Sequence, residues 1–394
     1  MPPAQASHRG QSLSRRILGE VLLRWGARIG LAWIGFLALI AVFAPLLANS
    51  HPLAVLDAQG WHSPMLRHLT PADVTLLGGL LWAAVMLFWP GRWFWRLLVW
   101  LAGLAGMGLL ALWLVNPPTL VVYEQYREAE AAGAYIQVIR APIPYSPKDY
   151  LRDYADTGLE APRHSLPERQ HWFGTDENGA DVLSRMIHAT RIALSIGFIA
   201  TGIALGIGVI LGGLMGYFSG IVDIIGMRLV EIFEAIPTLF LLLTFVAFFG
   251  RSLYLMMLII GLTSWSGYAR YVRAEFLRLR QQDFVQAAMA SGLSLPSILF
   301  RHMLPNGMAP ILVAASFGVA SAILAEATLS FLGLGLVDDP SWGQMLNQAV
   351  QSSTFNWWMA AFPGGAIFLT VFAYNLIGEA LRDAVDPHVQ AGKR

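Results

Sequence analysis

Apolar residues gather along this chain in runs near twenty residues, separated by short clusters of charge, glycine and proline. About 20 predominantly apolar residues are what a helix needs to cross a bilayer. By that measure the pattern predicts spans at 26–48, 74–90, 94–115, 192–217, 229–249, 253–271, 307–334 and 357–380. Only "PGRW" separates the second from the third, which predicts a tight hairpin. The first run follows Arg9, Arg15, Arg16, Arg24 and Arg28 and ends in "PLLANSHP". It is longer than a signal-peptide core of roughly 7–15 residues and lacks an A-x-A-like site, so it reads as an uncleaved span.

Basic loops stay in the cytoplasm. With the N-terminus inside, the N-terminal arginines, Arg92, Arg228, Arg270, Arg273, Arg278, Arg280 and Arg301 all fall on the cytoplasmic side. Segment 116–190, with eleven acids against seven bases, falls outside. Removing the hairpin would not change the sidedness of the rest. The chain then divides into a basic cytoplasmic tail (1–25), a first transmembrane helix (26–48) and an extracytoplasmic loop (49–73). An additional hairpin (74–115), an extracytoplasmic segment (116–190), a core (191–383) and a cytoplasmic tail (384–394), which puts both termini inside, complete it. The proline-punctuated segment 116–190 contains "EQYREAEAAGAY" as a short helix candidate.

Composition narrows the chemistry. A 394-residue chain that is 56% apolar and 13% charged is a multi-spanning membrane protein. Its net charge of +1 excludes a nucleic-acid surface, and the absence of cysteine excludes thiolate and Cys-ligated metal chemistry. A phosphate loop needs G-x-x-x-x-G-K-[ST], yet the single Gly-Lys pair is Gly392-Lys393, followed by the last residue. No nucleotide site is encoded. H-E-x-x-H is absent, and nothing favours a Ser/His/Asp assembly. "GTDENGAD" resembles a calcium loop faintly but lacks the glutamate at its twelfth position.

Three intramembrane features have both a plain and a sharp reading. Glycines 208, 212, 216 and 220, with Gly202 and Gly206 one register earlier, form a stripe that lets another helix approach closely. Pro237 interrupts a helical run one turn after Glu231 and Glu234, either as a kink beside a pathway or at a polar collar ending a span. Glu326 is an acid within a span, paired structurally or binding an ion or substrate.

One cytoplasmic stretch, "QAAMASGLSLPSILFRHMLPN" (286–306), is too elaborate to be a mere connection. "DFVQAAMAS" predicts a short helix ended by Gly292. Ser294 caps a second one, "SILFRHM", with Pro296 in its first turn, and Pro305 discourages its continuation. This helix–turn–helix would expose Phe284, Leu293, Ile298, Leu299 and Phe300, which implies a partner or the bilayer surface.

The same stretch resembles the EAA loop, E-A-A-x3-G-x9-I-x-L-P, of ATP-binding-cassette importer permeases. Ala287, Ala288, Gly292, Leu304 and Pro305 match position for position, while Gln286 replaces the glutamate and His302 the isoleucine. "RHMLPN" has the form usual in the peptide-importing branch. "HWFGTDENGADVLSRMIHATRIALSIGF" is similar to the family's L-G-T-D-x-x-G-R-D-V-L-S-R segment, with Ala180 in place of arginine. "EATLSFLGLG", "PSWGQML" and "FPGGAIFLTVFAYNLIGEALRDAVDP" resemble the closing region of C-type dipeptide and oligopeptide permeases, so the likeness covers about 168–388. "ANSHPLAVLDAQGWHSPML" and "RAPIPYSP" look like the Yej-type subgroup, associated with oligopeptides and microcin C; the 74–115 hairpin departs from that pattern.

The resemblance implies an all-α polytopic membrane protein, a type I importer permease core with an additional N-terminal hairpin, in the bacterial inner membrane. It implies no cofactor and no catalysis by this chain. Gln286, Ala287, Ala288, Gly292, His302, Leu304 and Pro305, within loop 283–306, would couple to an ATPase. Glu231, Pro237 and Glu326 would serve the pathway or structural pairing. The implied partners are a homologous B-type permease, two ATP-binding-cassette ATPases, an extracytoplasmic peptide-binding protein and membrane lipid. The competing readings are an ion-coupled carrier using Glu326 or Glu231, which inverted repeats would support, and an enzyme built on 116–190.

Overall fold

The computed structural model describes residues 19–90, 93–154, 158–162, 171–336 and 339–385. Arg9, Arg15, Arg16, Arg92 and the tail from residue 386 lie outside these described residues. In chain order the elements are α1 (Trp25–Leu47), β1 (Ala54–Asp57), β2 (Gly60–His62), α2 (Pro64–His68), α3 (Pro71–Phe88) and α4 (Trp93–Leu114). Then come α5 (Glu124–Ala131), β3 (Gln137–Ile139), α6 (Val182–Phe218), α7 (Gly220–Ala235), α8 (Thr238–Phe249) and α9 (Leu253–Arg280). The chain continues with α10 (Asp283–Ala290), a π-helical run (Ser297–Met303), α11 (Leu304–Phe331), α12 (Trp342–Gln351) and α13 (Trp357–Val385).

Among the described residues, six helices are long and apolar enough to cross a membrane, and the pair α7–α8 makes a seventh if it is one span. The predicted span 229–249 is in fact this pair, bent by 79°. Proline disfavours helical geometry in the residue before it. Ile236 is accordingly extended, and α8 starts afresh with the Pro237 carbonyl accepting from the Leu241 N–H. Helix α9 contains the predicted run 253–271 but continues to Arg280 and is too polar to count among the six. Met256, Ile260, Trp265, Ala269, Val272 and Phe276 bury it against neighbouring helices, so it need not suit lipid on every side.

The chain forms two compact units. One contains residues up to Gly35, Ala193–Leu336 and the chain from Gly365. Here the glycine stripe does what its spacing predicts. A Cβ at Gly212 would lie 2.4 Å from the Ala269 carbonyl oxygen, and one at Gly216 would lie 2.6 Å from the Phe276 Cβ. Backbone therefore rests on backbone where α6 meets α9. Gly220, predicted to continue the stripe, instead lies beyond the end of α6 at φ +57, and like Gly202 and Gly206 it faces open space and takes no part. Ion pairs tie α7 to α9: Asp223 accepts twice from Arg273, and Glu234 pairs with Arg270.

The other unit contains Phe36–Ile192 and Val337–Gly364. Its hairpin, α3–α4, is held by reciprocal indole bonds: Trp100 Nε1 donates to the Gly79 carbonyl at 3.1 Å and Trp82 Nε1 to the Val99 carbonyl at 3.4 Å. Leu81, Phe88, Leu109, Leu112 and Trp113 remain exposed, as lipid-facing side chains must. Thr70 and Asp73 form a capping box at the start of α3, and Asp73 also pairs with Arg191 of α6. Arg191 donates further to the carbonyls of Ala41 and Val42 on α1. The hairpin is thus anchored by a buried charge.

The polar part of this unit holds more structure than its loops predict. Strands order as β2-β1-β3, all antiparallel, with Val55 opposite both His62 and Val138. The predicted short helix is α5. Asp149 is fully buried and accepts from Arg127 at 2.7 and 3.1 Å. The "GTDENGAD" turn is a structural knot. Asp176 accepts from the N–H groups of Asn178 and Ala180 and from Arg185, while Asp181 accepts from the Ser184 N–H and meets His171 Nδ1 at 2.8 Å. With those oxygens occupied, the turn caps α6 and leaves no calcium loop.

Two predictions follow from this unit. Breaking a buried ion pair from one side strands a charge at a cost of about 3 kcal/mol or more. Asp73→Leu or Arg191→Leu alone should therefore lower the thermal midpoint in detergent, and the double change should recover most of the loss. The second concerns His51, which stacks on His68 at 3.7 Å and faces Tyr123 and Tyr126. Burial, with His68 beside it, pushes His51 down from 6.5 to about 4. The unfolded chain binds the extra proton first, so this stabilisation is complete above pH 6.5 and is lost as pH falls towards about 4. His51→Phe should flatten that acid limb by roughly 1–2 kcal/mol. Hydrogen exchange of the β1 and β3 amides at about pH 7 and about pH 5 measures it.

Candidate functional site

The stretch 283–306 is built from the end of α9 outward. Arg280 closes that helix, and Gln286 Nε2 donates to its free carbonyl at 2.8 Å. An ionised glutamate here would have no proton to give; the glutamine at this position therefore joins α10 to α9. Gly292 ends α10 with φ +70, and two bonds complete the turn: its N–H to the Met289 carbonyl at 3.0 Å and the Leu293 N–H to the Ala288 carbonyl at 3.3 Å. This is the left-handed helix ending in which glycine has no Cβ penalty.

The second helix differs from its prediction. It does not stop at Pro305; the π run passes straight into α11. Its first N–H bonds run back to Ser294, whose carbonyl accepts from Ile298 at 3.0 Å. Pro305 is accommodated because a first-turn position of the α-wound segment needs no N–H bond. Continuity also reverses the expected exposure of two residues. Ile298 and Leu299, 2% and 6% exposed, pack in a core with Val272, Phe276, Leu279, Val285, Ala288, Met303 and Ile311. Phe284, Leu293 and Phe300 do stay exposed, at 40%, 40% and 51%. The site is a small apolar surface on a firmly packed base.

Of the residues expected to couple, Gln286, Ala287, Gly292 and Pro305 are exposed, His302 and Leu304 half-buried, and Ala288 is buried in the base. Sequence reasoning missed the π winding and Asn306, whose Nδ2 donates to the His302 carbonyl at 2.6 Å. An asparagine following proline was the available signal. Elsewhere, Glu231 is exposed and pairs with Arg228 one turn away, while Glu326 is 2% exposed and accepts from Ser330 Oγ at 2.6 Å. Neither lies within a cluster of metal-ligating side chains among the described residues. Pro237 sits at the α7–α8 break.

Comparison with known proteins places this arrangement. Residues 208–391 match the family described as binding-protein-dependent transport system inner membrane component. The chain is 38% identical over 239 residues to the dipeptide transport system permease protein DppC of Alkalihalophilus pseudofirmus, covering 60% of this chain and 78% of that protein. It is 41% identical over 237 residues to the oligopeptide transport system permease protein OppC of Escherichia coli, covering 59% and 78%. It is 36% identical over 266 residues to the glutathione transport system permease protein GsiD of Pectobacterium atrosepticum, covering 67% and 88%. A solved inward-facing MetNI methionine ABC transporter chain overlays with a TM-score of 0.43 at 17% identity, covering 51% of this chain and 96% of that one. With 78% of a 38%-identical relative covered, the chain belongs to the binding-protein-dependent inner membrane components, the non-catalytic permease subunits of ABC importers.

Proposed function

We propose that this chain is the C-type integral subunit of an ATP-driven peptide importer and forms half of its translocation pathway. The cargo would be di- or oligopeptides or a microcin-C-like peptide, the N-terminal third resembling the Yej-type subgroup associated with oligopeptides and microcin C. Relatives named for dipeptide, oligopeptide and glutathione transport support the class. The complex would contain a B-type permease, two ATPases and an extracytoplasmic binding protein, with both termini of this chain cytoplasmic.

The observation that carries the reading is the site at 283–306. Phe284, Leu293 and Phe300 face outward, as docking in an ATPase groove requires, while Ile298, Leu299 and Met303 bind the same element to α9 and α11. Closure of the ATPases on ATP would move this element and re-tilt the core spans. The binding protein would bias the outward state and ATP the other, since each ligand shifts the equilibrium only by its differential affinity. The carrier alternative finds less support, because Glu326 and Glu231 already hold hydrogen-bonding or ionic partners.

Two experiments bear on this. A β-branched residue at a left-handed position is strained, so Gly292→Val should misdirect the second helix while the spans insert normally. Copurification of the ATPases or peptide uptake should fall several-fold; full uptake with the ATPases bound would return the carrier reading to first place. For sidedness, a reporter active only outside the cytoplasm should work when fused near Asp153 and fail near Ser291. Activity at Ser291 would reverse the assignment.

A further inference from the structure

Where the docking element meets the long span α11, the backbone changes its winding. Ser297–Met303 is a seven-residue π-helix, and the Leu304 N–H reaches back five residues to the Leu299 carbonyl. Such winding is rare, occurs mostly as single turns inside α-helices, and is frequent at functional sites. Two residues at its far end weaken the α alternative. Pro305 has no N–H to give the Arg301 carbonyl an α-type bond, and its ring crowds that carbonyl. Asn306 Nδ2 donates to the His302 carbonyl at 2.6 Å, in competition with the Asn306 backbone N–H, whose acceptor it would be in an α-helix. There is also room to rewind. A cavity of about 180 Å³ lies beside the run, bounded by Gly213 and Phe276 on one side and by Leu295, Pro296, Leu299 and Phe300 on the other.

We propose that Ser297–Met303 is a winding joint, kept in its π form by the Asn306 side chain, which rewinds towards α when the docked ATPase moves. This rests on the coupling reading above. The same seven residues wound as α are longer and turn more tightly, so displacement at Phe300 reaches α11 as rotation and advance along its own axis. Helix α11 carries the buried Glu326–Ser330 pair, and its rotation would re-aim that pair. Asn306 is a positioning residue: it acts through the backbone and touches no cargo.

The chain has no cysteine, so Ser294→Cys and Met308→Cys, which flank the whole run, can carry a spin-label pair without further changes to it. Both positions are exposed. The test uses the assembled complex with its second permease and ATPases in proteoliposomes, nucleotide-free and trapped with ATP and vanadate. The unmodified joint should change its label separation by roughly 2–3 Å, the difference expected between i→i+5 and i→i+4 winding. Asn306→Ala and Asn306→Asp, neither with a side-chain donor, should abolish that change. They should also raise ATP hydrolysed per labelled trialanine taken up by about tenfold, with the ATPases still bound. Asn306→Ser, whose hydroxyl donates to the same carbonyl four residues back, should restore both values. A fixed separation during normal ATP turnover overturns the joint, as does Asn306→Ser failing like Asn306→Ala. Failure of the ATPases to copurify with the unmutated chain defeats the coupling reading itself, a distinct outcome.

Discussion

The end of the core that carries residues 283–306 depends on the packing around Phe276. Phe276 is 1% exposed and belongs to one buried core drawn from α9, α10, the π run and α11, four consecutive elements of the chain. Close-packed side chains do not slide past one another, so such a core transmits displacement instead of absorbing it. The stripe Gly208, Gly212 and Gly216 is the complement to this core. It brings α6 against α9 at backbone contact, with Gly213 also meeting the Phe276 ring. Bulk at any of these glycines would push α6 away from the helix that anchors the docking element.

Charge placement follows from the same geometry. Arginines counted first as markers of the cytoplasmic side prove to be engaged: Arg270 with Glu234, Arg273 with Asp223, Arg278 with Glu275, and Arg280 with Ser219. Pairing is what makes ionised groups tolerable near lipid. It also gives them a second duty, since Asp223 and Glu234 tie α7 to α9 beside the packing of Val230 and Phe233 on Trp265. One arginine can thus mark a basic loop in the sequence and hold a helix in the fold.

The helices were legible because the bilayer demands long apolar runs and allows few alternatives. Their ends were less so. Helix α6 begins ten residues before its apolar run, because the capping carboxylate of Asp181 sets its start and apolarity does not. The break at Ile236–Pro237 could be read as a kink, but its 79° could not, since that angle depends on what α7 and α8 pack against. The strands, three or four residues each, carry no alternation to detect. At the functional site, Gly292 and the exposed Phe284, Leu293 and Phe300 were readable from local pattern. Burial of Ile298 and Leu299 was not, because it follows from a helix continuing through a proline.

The α3–α4 hairpin satisfies its own needs. Each indole N–H that it turns inward, Trp82 and Trp100, finds a carbonyl on the opposite helix of the same hairpin. Helices of 18 and 22 residues are each long enough to traverse the hydrocarbon layer. Two consecutive crossings return the chain to the face from which it entered, so the hairpin can close on itself as one unit. The orientation of helix α6 is then the same with the hairpin as without it.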